Sequence, residues 1–346
     1  MVLLSPVLAV LATVITAAVL FAMFGLDPWS SLHTFFVAPI ASGYGVAELL
    51  VKATPLVLCA VGLSIGFRAG VWNIGAEGQL TLGAIVGGGL AIHLHESQSA
   101  WLLPAMALAG IAGGMLWAAV PAWLRTRFNA NEILVSLMLT YVATLLLSYL
   151  VHGPWRDPEG FNFPESRLFP EAGTLPVLLE GTRLHLGALV ALVLAIGAWL
   201  LLGRSLVGFQ VRVIGNAPAA ARYAGFSEAG LVWFSLLLGG GLAGLAGLIE
   251  VAGPIGQLVP SVSPGYGFTA IIVAFLGRLH PFGVVLAGLL MALSYLGGEA
   301  AQMRLGLPAA VTGVFQGMLL FFLLAADVLI LHRIRWRRLG RGAAAG

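Results

Sequence analysis

The composition of the chain excludes an ordinary water-soluble protein. Of 346 residues, 60% are hydrophobic and 9% are charged, whereas a soluble domain carries about 25% charged residues. So few charges cannot cover a water-exposed surface, and the apolar excess must face lipid. The formal net charge is only +3, and the basic residues are dispersed between apolar runs. That dispersion excludes the concentrated basic surface that nucleic-acid binding requires.

The apolar runs predict an all-α, polytopic membrane protein with about ten transmembrane elements. A spanning helix needs about 20 mostly apolar residues, and the runs are continuous rather than alternating with a period of two, which argues against strands. The first run is too long for a signal peptide and lacks a basic n-region, so it is interpreted as a retained span. A shorter run at 267–277 predicts either a half-helix or a full span. The longer predicted spans are 3–25, 44–66, 74–94, 101–123, 131–151, 185–203, 229–250, 281–300 and 309–331.

Charge asymmetry predicts the orientation. If all ten elements cross, twelve of the 17 Lys and Arg residues lie on one side, four lie on the other, and Lys52 is inside a span. The positive-inside rule then places both termini in the cytoplasm. The predicted membrane domain covers 1–335, with an outer loop at 152–184 and an inner loop at 204–228, and 336–346 forms a basic cytoplasmic tail. The outer loop collects the acidic residues Asp157, Glu159, Glu165, Glu171 and Glu180.

Two glycine-rich hairpins indicate that the chain consists of two related halves. One runs from Gly66 to Gly89 and the other from Gly265 to Gly288. Transporters are often built from such repeats, with the pathway at interrupted helices near the middle of the membrane.

A polar segment at the edge of a predicted span is the first candidate site. The stretch 66–79 reads GFRAGVWNIGAEGQ and contains Asn73, Glu77 and Gln79. Polar side chains at membrane depth are costly unless they are paired or face a water-filled path. Two interpretations stay open: an inner loop in which Asn73 caps a helix whose first turn carries Glu77, or a segment that lines a pathway.

The inner loop is the second candidate site. Asn216 is a suitable N-cap, Pro218 suits a first turn, and Gly225 suits a helix end. The loop therefore predicts a cytoplasmic helix of about two turns whose alanines could dock into a partner, although a plain connecting helix is the alternative.

Other polar groups indicate no chemistry. His93, His95 and Glu96 lie at the outer end of a span, but alternate residues diverge on a helix and no fourth metal ligand is evident. Glu48 and Lys52 are four residues apart and are predicted to pair. The sequence contains no nucleophile–base arrangement, phosphate-binding loop or zinc signature. We therefore expect no catalytic residue, no metal and no cofactor, and ATP hydrolysis would need another subunit.

Three segments together resemble the permease subunits of ATP-binding cassette (ABC) importers of the ribose, nucleoside and branched-chain amino acid class. These are GFRAGVWNIGAEGQLTLGA at 66–84, VIGNAPAAARYAGFS at 213–227, and GFTAIIVAFLGRLHPFGVVLAG at 267–288. The resemblance covers about residues 40 to 331. The amino-acid sequence of the first segment and the long outer loop are most similar to those of the longer permease of nucleoside-type systems.

The resemblance implies a transport subunit that performs no covalent chemistry. Its partners would be a cytoplasmic ABC ATPase, a second and non-identical permease, an extracytoplasmic binding protein or lipoprotein, and membrane lipid. The location implied is the inner membrane of a bacterium. Asn73, Glu77 and Gln79 would lie near the pathway. The segment that would couple to the ATPase is Asn216, Ala219, Ala220, Ala221 and Gly225. In this coupling loop, Asn216 stands where many ABC permeases carry an acidic residue.

The substrate expected first is a nucleoside, followed by a simple sugar and then a branched-chain amino acid. An ion-driven secondary transporter is the rival within transport, and it should display unpaired acids deep in its spans. In this sequence the acids are predicted to lie near the interfaces. A membrane-embedded enzyme would need several converging titratable groups at depth, and none stands out.

Overall fold

The computed structural model describes residues 4–331, and side chains for 5–326. This part of the chain is helical, and its single β-bridge joins Val177 to His185 in the outer loop. The helices are α1 (Leu4–Met23), α2 (Pro28–Phe36), α3 (Gly43–Arg68), α4 (Ala76–His93), α5 (Leu102–Phe128), α6 (Glu132–His152), α7 (Gly187–Arg204), α8 (Leu206–Asn216), α9 (Pro218–Tyr223), α10 (Glu228–Glu250), α11 (Tyr266–Leu276), α12 (Pro281–Leu305) and α13 (Ala310–Leu331).

The predicted membrane elements are confirmed as helices. Within the described residues, seven helices are long and apolar enough to cross a membrane: α1, α3, α5, α6, α7, α10 and α12. The 18-residue α4 carries Glu77 and Gln79 in its first turn. At 11 residues, α11 is about 16 Å long, roughly half the hydrocarbon thickness, so the run at 267–277 forms a half-length helix. The sequence did not predict α2, whose start is capped by Asp27 accepting from Ser30 N–H at 2.7 Å.

Glycines bring the central helices into close contact. A Cβ added to Gly83 of α4 would lie 2.2 Å from the Cα of Gly244 in α10, and one on Gly114 of α5 would lie 2.1 Å from the carbonyl oxygen of Gly240. Such distances leave no room for a side chain. Because lipid provides little hydrophobic drive between helices, close backbone contact of this kind stabilises a membrane bundle.

The bundle has two halves of inverted orientation, the first beginning with α3 and the second with α10. In the same way that α3 packs against α11 and α12 of the second half, α10 packs against α4 and α5 of the first half. α3 and α10 are antiparallel, since Gly62 adjoins Gly239 and Gly66 adjoins Ser235. Each half breaks after its first helix, at 69–75 and at 251–265. The counterpart of the hairpin that begins at Gly66 is therefore the end of α10 together with α11. The stretch from Gly265 to Gly288, which the sequence paired with that hairpin, instead extends one helix further, into α12.

The two breaks lie at opposite ends of the bundle. The first adjoins the inner loop, because a Cβ on Gly215 of α8 would overlap the Arg68 carbonyl. The second is covered by the outer loop: Ser166 N–H donates to the Leu258 carbonyl at 2.9 Å, and Phe169 N–H donates to that of Gly256 at 2.8 Å. The predicted basic tail, 336–346, lies outside the described residues.

Candidate functional site

The N-termini of α4 and α11 meet inside the bundle. The chain from Val71 to Gly75 is not helical, and α4 begins at Ala76. A Cβ on Gly267, in the first turn of α11, would lie 2.2 Å from the Glu77 backbone nitrogen. Two interrupted helices thus direct their unpaired N–H groups toward one buried junction, where negative charge is favoured.

Glu77 links the start of α4 to the start of α11. Its side chain is buried, and its Oε2 accepts a hydrogen bond from Gly267 N–H at 2.6 Å. Ser263 also interacts with Glu77, and its hydroxyl oxygen accepts from Gly265 N–H at 3.1 Å and from Tyr266 N–H at 2.8 Å. A carboxylate on α4 therefore satisfies the start of α11 and brings negative charge to its positive end.

Asn73 and Gln79 pair with each other beside this carboxylate. Asn73 Nδ2 donates to Gln79 Oε1 at 2.8 Å, and Gln79 Nε2 donates back to Asn73 Oδ1 at 3.1 Å. Asn73 Oδ1 also accepts from Gly75 N–H at 3.0 Å. The N-cap of α4 is Gly75, so the expected capping role of Asn73 was wrong. All three predicted residues are buried at the start of α4, where Asn73 and Gln79 bind each other and Glu77 binds α11, and their lining of a pathway stays a prediction.

A second group of polar side chains adjoins this junction and was not predicted. Thr269 of α11 and Tyr295 of α12 place their hydroxyl oxygens 2.8 Å apart, and the Thr269 hydroxyl donates to Gln316 Oε1 of α13 at 3.3 Å. Tyr266 packs edge-on against Tyr295 with ring centroids 5.4 Å apart. The available signal was the isolated polar residue within each apolar span.

The charged pairs near the outer end differ from the prediction. Glu48 is bound by Arg183 of the outer loop through two hydrogen bonds. Lys52 pairs instead with Glu299 of α12 at 2.8 Å. The predicted Glu48–Lys52 pair was wrong because each side chain finds a partner on another segment, and these bonds attach the outer loop and α12 to α3.

Acidic residues also lie deeper than expected. Glu77 and Glu250 are both buried within the bundle, although the sequence placed the acids near interfaces. Glu250 is the last residue of α10, directly before the π-turn Val251–Ile255. The hydrogen bonds that Glu77 accepts make it a capping group rather than an unpaired acid.

The inner loop folds into two short helices rather than one. Asn216 ends α8, where its Nδ2 donates to the Arg212 carbonyl at 2.8 Å, and the N-cap of α9 is Ala217. The N-cap prediction for Asn216 was therefore wrong. Gly225 does end α9, with φ +76°, and Phe226 N–H donates to the Ala221 carbonyl at 3.0 Å, as in a Schellman motif.

The alanines of α9 do not share one face. Ala221 is buried, whereas Ala219 and Ala220 are exposed. Tyr223, which the sequence reasoning did not single out, is 96% exposed, and Leu206 and Phe209 of α8 are also exposed. An aromatic and apolar surface that protrudes beside the membrane bundle is typical of a protein-binding site.

The described residues show no arrangement for covalent chemistry. Within them, no three His, Cys, Asp or Glu side chains lie close enough to hold a metal ion. At the outer end of α4, His93 Nδ1 lies 2.7 Å from the Gly89 carbonyl, and its ring packs edge-on against Trp155.

An inverted repeat whose interrupted helices meet inside an apolar bundle defines a multi-pass membrane transport protein. Comparison with known proteins identifies the family. Residues 45–324 match the family model described as branched-chain amino acid transport system, permease component, and the chain belongs to this family. It is a transport component, the permease subunit of an ABC transporter, rather than an enzyme, and the resemblance found in the sequence is confirmed.

The curated relatives carry different substrate names. The chain is 39% identical to the glucose ABC transporter permease TsgB13 of Haloferax volcanii, over 95% of this chain and 89% of that protein. It is 30% identical to the guanosine permease NupP of Bacillus subtilis, over 92% of each chain. It is 23% identical to the nucleoside permease NupB of Lactococcus lactis, over 92% of this chain and 89% of that protein. No solved structure matches the chain.

Proposed function

We propose that the chain forms part of the import pathway for a neutral, hydroxyl-bearing solute. A nucleoside is the substrate predicted from sequence, and the glucose-named relative favours a monosaccharide as the second candidate. The observation that carries the proposal is the buried junction of α4 and α11, with Asn73, Glu77 and Gln79 on one side of it. Interrupted helices within the membrane are where transporters expose polar groups to a solute.

The chemistry of this junction argues against a branched-chain amino acid, although the family is named for that substrate. An amino acid carries both a carboxylate and an ammonium group, which must be matched when they leave water, and the N–H group at the start of α11 that could receive the carboxylate is already bound by Glu77. Among the described side chains that form the two polar groups, none is basic. A neutral solute meets no such penalty.

The inner loop is proposed to receive the ATPase subunit. Ala219, Ala220 and Tyr223 form its exposed contact surface, with the exposed side chains of α8 beside it. Ala221 and Gly225 act differently, because they hold α9 in place. The arginines at this end of the bundle favour a cytoplasmic position for this surface by the positive-inside rule, and the inner membrane of a bacterium is the proposed location.

A second permease is proposed to complete the pathway. Similar permeases occur in pairs within one organism: NupP and NupQ in B. subtilis, NupB and NupC in L. lactis, and TsgB13 and TsgC13 in H. volcanii. This pairing favours a non-identical partner. The outer loop lies at the end where an extracytoplasmic binding protein would deliver the solute.

Reconstitution tests the proposal. The chain, co-purified with the second permease, ATPase and binding protein encoded beside it, is placed in proteoliposomes with radiolabelled guanosine, glucose or leucine. We expect ATP-dependent uptake of guanosine, or of glucose if the substrate is a sugar. Uptake of leucine alone would contradict the neutral-solute proposal. Uptake driven by an ion gradient without the ATPase would instead establish the secondary transporter.

A further inference from the structure

Three neutral polar side chains converge inside the second half of the bundle. Thr269, Tyr295 and Gln316 come from three different helices, and all are buried. The Thr269 hydroxyl oxygen lies 2.8 Å from the Tyr295 hydroxyl oxygen and 3.3 Å from Gln316 Oε1. Because each residue belongs to a different helix, their meeting is a property of the fold rather than of one segment.

The Gln316 amide has a hydrogen-bond donor that this group does not satisfy. Gln316 is only 9% exposed, and its Nε2 makes no well-aligned hydrogen bond among the described residues, although the Gln316 side chain interacts with the Tyr295 hydroxyl. A buried donor without an acceptor is costly. A solute oxygen at this place would supply the missing acceptor.

The location connects this group to the junction already described. Thr269 lies on the same short helix as Gly267, the residue that Glu77 binds. The edge-on contact of Tyr266 with Tyr295 adds an aromatic wall. Amide and hydroxyl groups beside aromatic rings are suited to the hydroxyls of a neutral ring-shaped solute.

We propose that Thr269, Tyr295 and Gln316 form a subsite that hydrogen-bonds one hydroxyl group of the solute as it passes through the membrane. The proposal rests on the proposed function and extends it by assigning the solute hydroxyl to named residues. Because the three side chains are buried, a solute reaches the subsite only if α11 shifts relative to α12 and α13. The alternative is that the three side chains only hold the helices together, as interhelical hydrogen bonds do in other membrane proteins.

The test compares solutes that differ by a single hydroxyl. The complete transporter imports guanosine or its 2′-, 3′- or 5′-deoxy analogues, each delivered by saturating loaded binding protein; glucose and monodeoxyglucoses replace them if glucose is the substrate. Gln316→Leu and Tyr295→Phe are measured beside Thr13→Val, a buried threonine whose hydroxyl bonds its own helix at 2.8 Å. The thermal stability of each variant is measured as well.

We expect the wild type to import the parent solute about tenfold faster than one deoxy analogue, and Gln316→Leu to abolish that difference while Thr13→Val retains it. If the variants slow all analogues equally, or leave every rate unchanged, the subsite is refuted and the side chains are structural. If the wild-type transporter imports neither nucleosides nor sugars, the proposed function itself fails. The two failures are therefore distinguished by the wild-type control.

Discussion

Replacing Glu77 with alanine should destabilise the bundle far more than removing an ordinary carboxylate. In the native fold Glu77 accepts from Gly267 N–H at 2.6 Å and also interacts with Ser263 and the Gly265 backbone. Glu77→Ala leaves the Gly267 N–H without its acceptor, in surroundings that hold little water. It also removes negative charge from the start of α11.

The magnitude follows from those bonds. A hydrogen bond to a charged group is worth about 1.5–3 kcal/mol, and charge at a helix terminus adds about 0.3–2 kcal/mol. Relief from burying the carboxylate opposes these contributions. We therefore expect Glu77→Ala to lower the free energy of unfolding by about 3–4 kcal/mol. Glu77→Gln should lose about half as much, since its amide oxygen can still accept from Gly267.

Unfolding in mixed detergent micelles, followed by circular dichroism, measures these losses. Glu228→Ala is the matched control, because Glu228 is an exposed acid in the first turn of α10, and it should change the unfolding free energy by less than about 0.5 kcal/mol. Equal stability of Glu77→Ala and Glu228→Ala would refute the assignment of Glu77 as the cap of α11.

Four further predictions concern other parts of the chain. Gly83→Ala should separate α4 from α10 and lower thermal stability in detergent by several degrees, whereas Gly197→Ala, on an open face of α7, should leave it unchanged; equal melting temperatures would contradict the close-packing argument. Tyr223→Ala should reduce solute-stimulated ATPase activity severalfold with normal membrane insertion, while Ala221→Glu should instead lower the yield of folded protein; unchanged ATPase activity of Tyr223→Ala would exclude the α9 surface as the contact. Burial lowers the pKa of His185 to about 4, so the unfolded chain binds a proton more readily than the folded chain does. The free energy of unfolding should therefore decrease as the pH is lowered from 6.5 toward 4, by at most about 1.4 kcal/mol per pH unit. His185→Gln should flatten that slope when melting is measured as a function of pH. A short crosslinker that a reductant cleaves, joining cysteines placed at Glu165 and Gln257, whose side-chain ends lie 2.7 Å apart, should reduce uptake until the reductant is added, and full uptake by the crosslinked protein would show that the outer loop need not move.

The sequence predicted what depends on neighbouring residues and missed what depends on distant ones. Asn73 and Gln79 were found together because they belong to one short segment. The partner of Glu77 is 190 residues away, so no local pattern could identify it. Glu48 and Lys52 were paired by helical spacing, but Arg183 and Glu299 bind them from other segments.

Helix boundaries in the inner loop failed for a related reason. Asn216 is a good N-cap by residue type, yet α8 continues to this residue and its side chain bonds back to Arg212 within that helix. Gly225 was placed correctly because a left-handed backbone, here φ +76°, favours glycine strongly. Residue types with a unique backbone role are thus predictable, whereas those with several possible hydrogen bonds depend on context.

The two breaks are held by different means, and this difference bears on how the bundle moves. The first is fixed by buried side chains, the Asn73–Gln79 pair among them. The second is fixed mainly by backbone hydrogen bonds to the outer loop, such as that from Leu175 N–H to the Ala252 carbonyl at 2.8 Å. Of the two breaks, the second is the one bound by the loop at the predicted outer end of the bundle. Displacement of that loop would release the 251–265 break and, through Gly267, act on Glu77, so a contact at the outer surface can reach the buried junction through the chain itself.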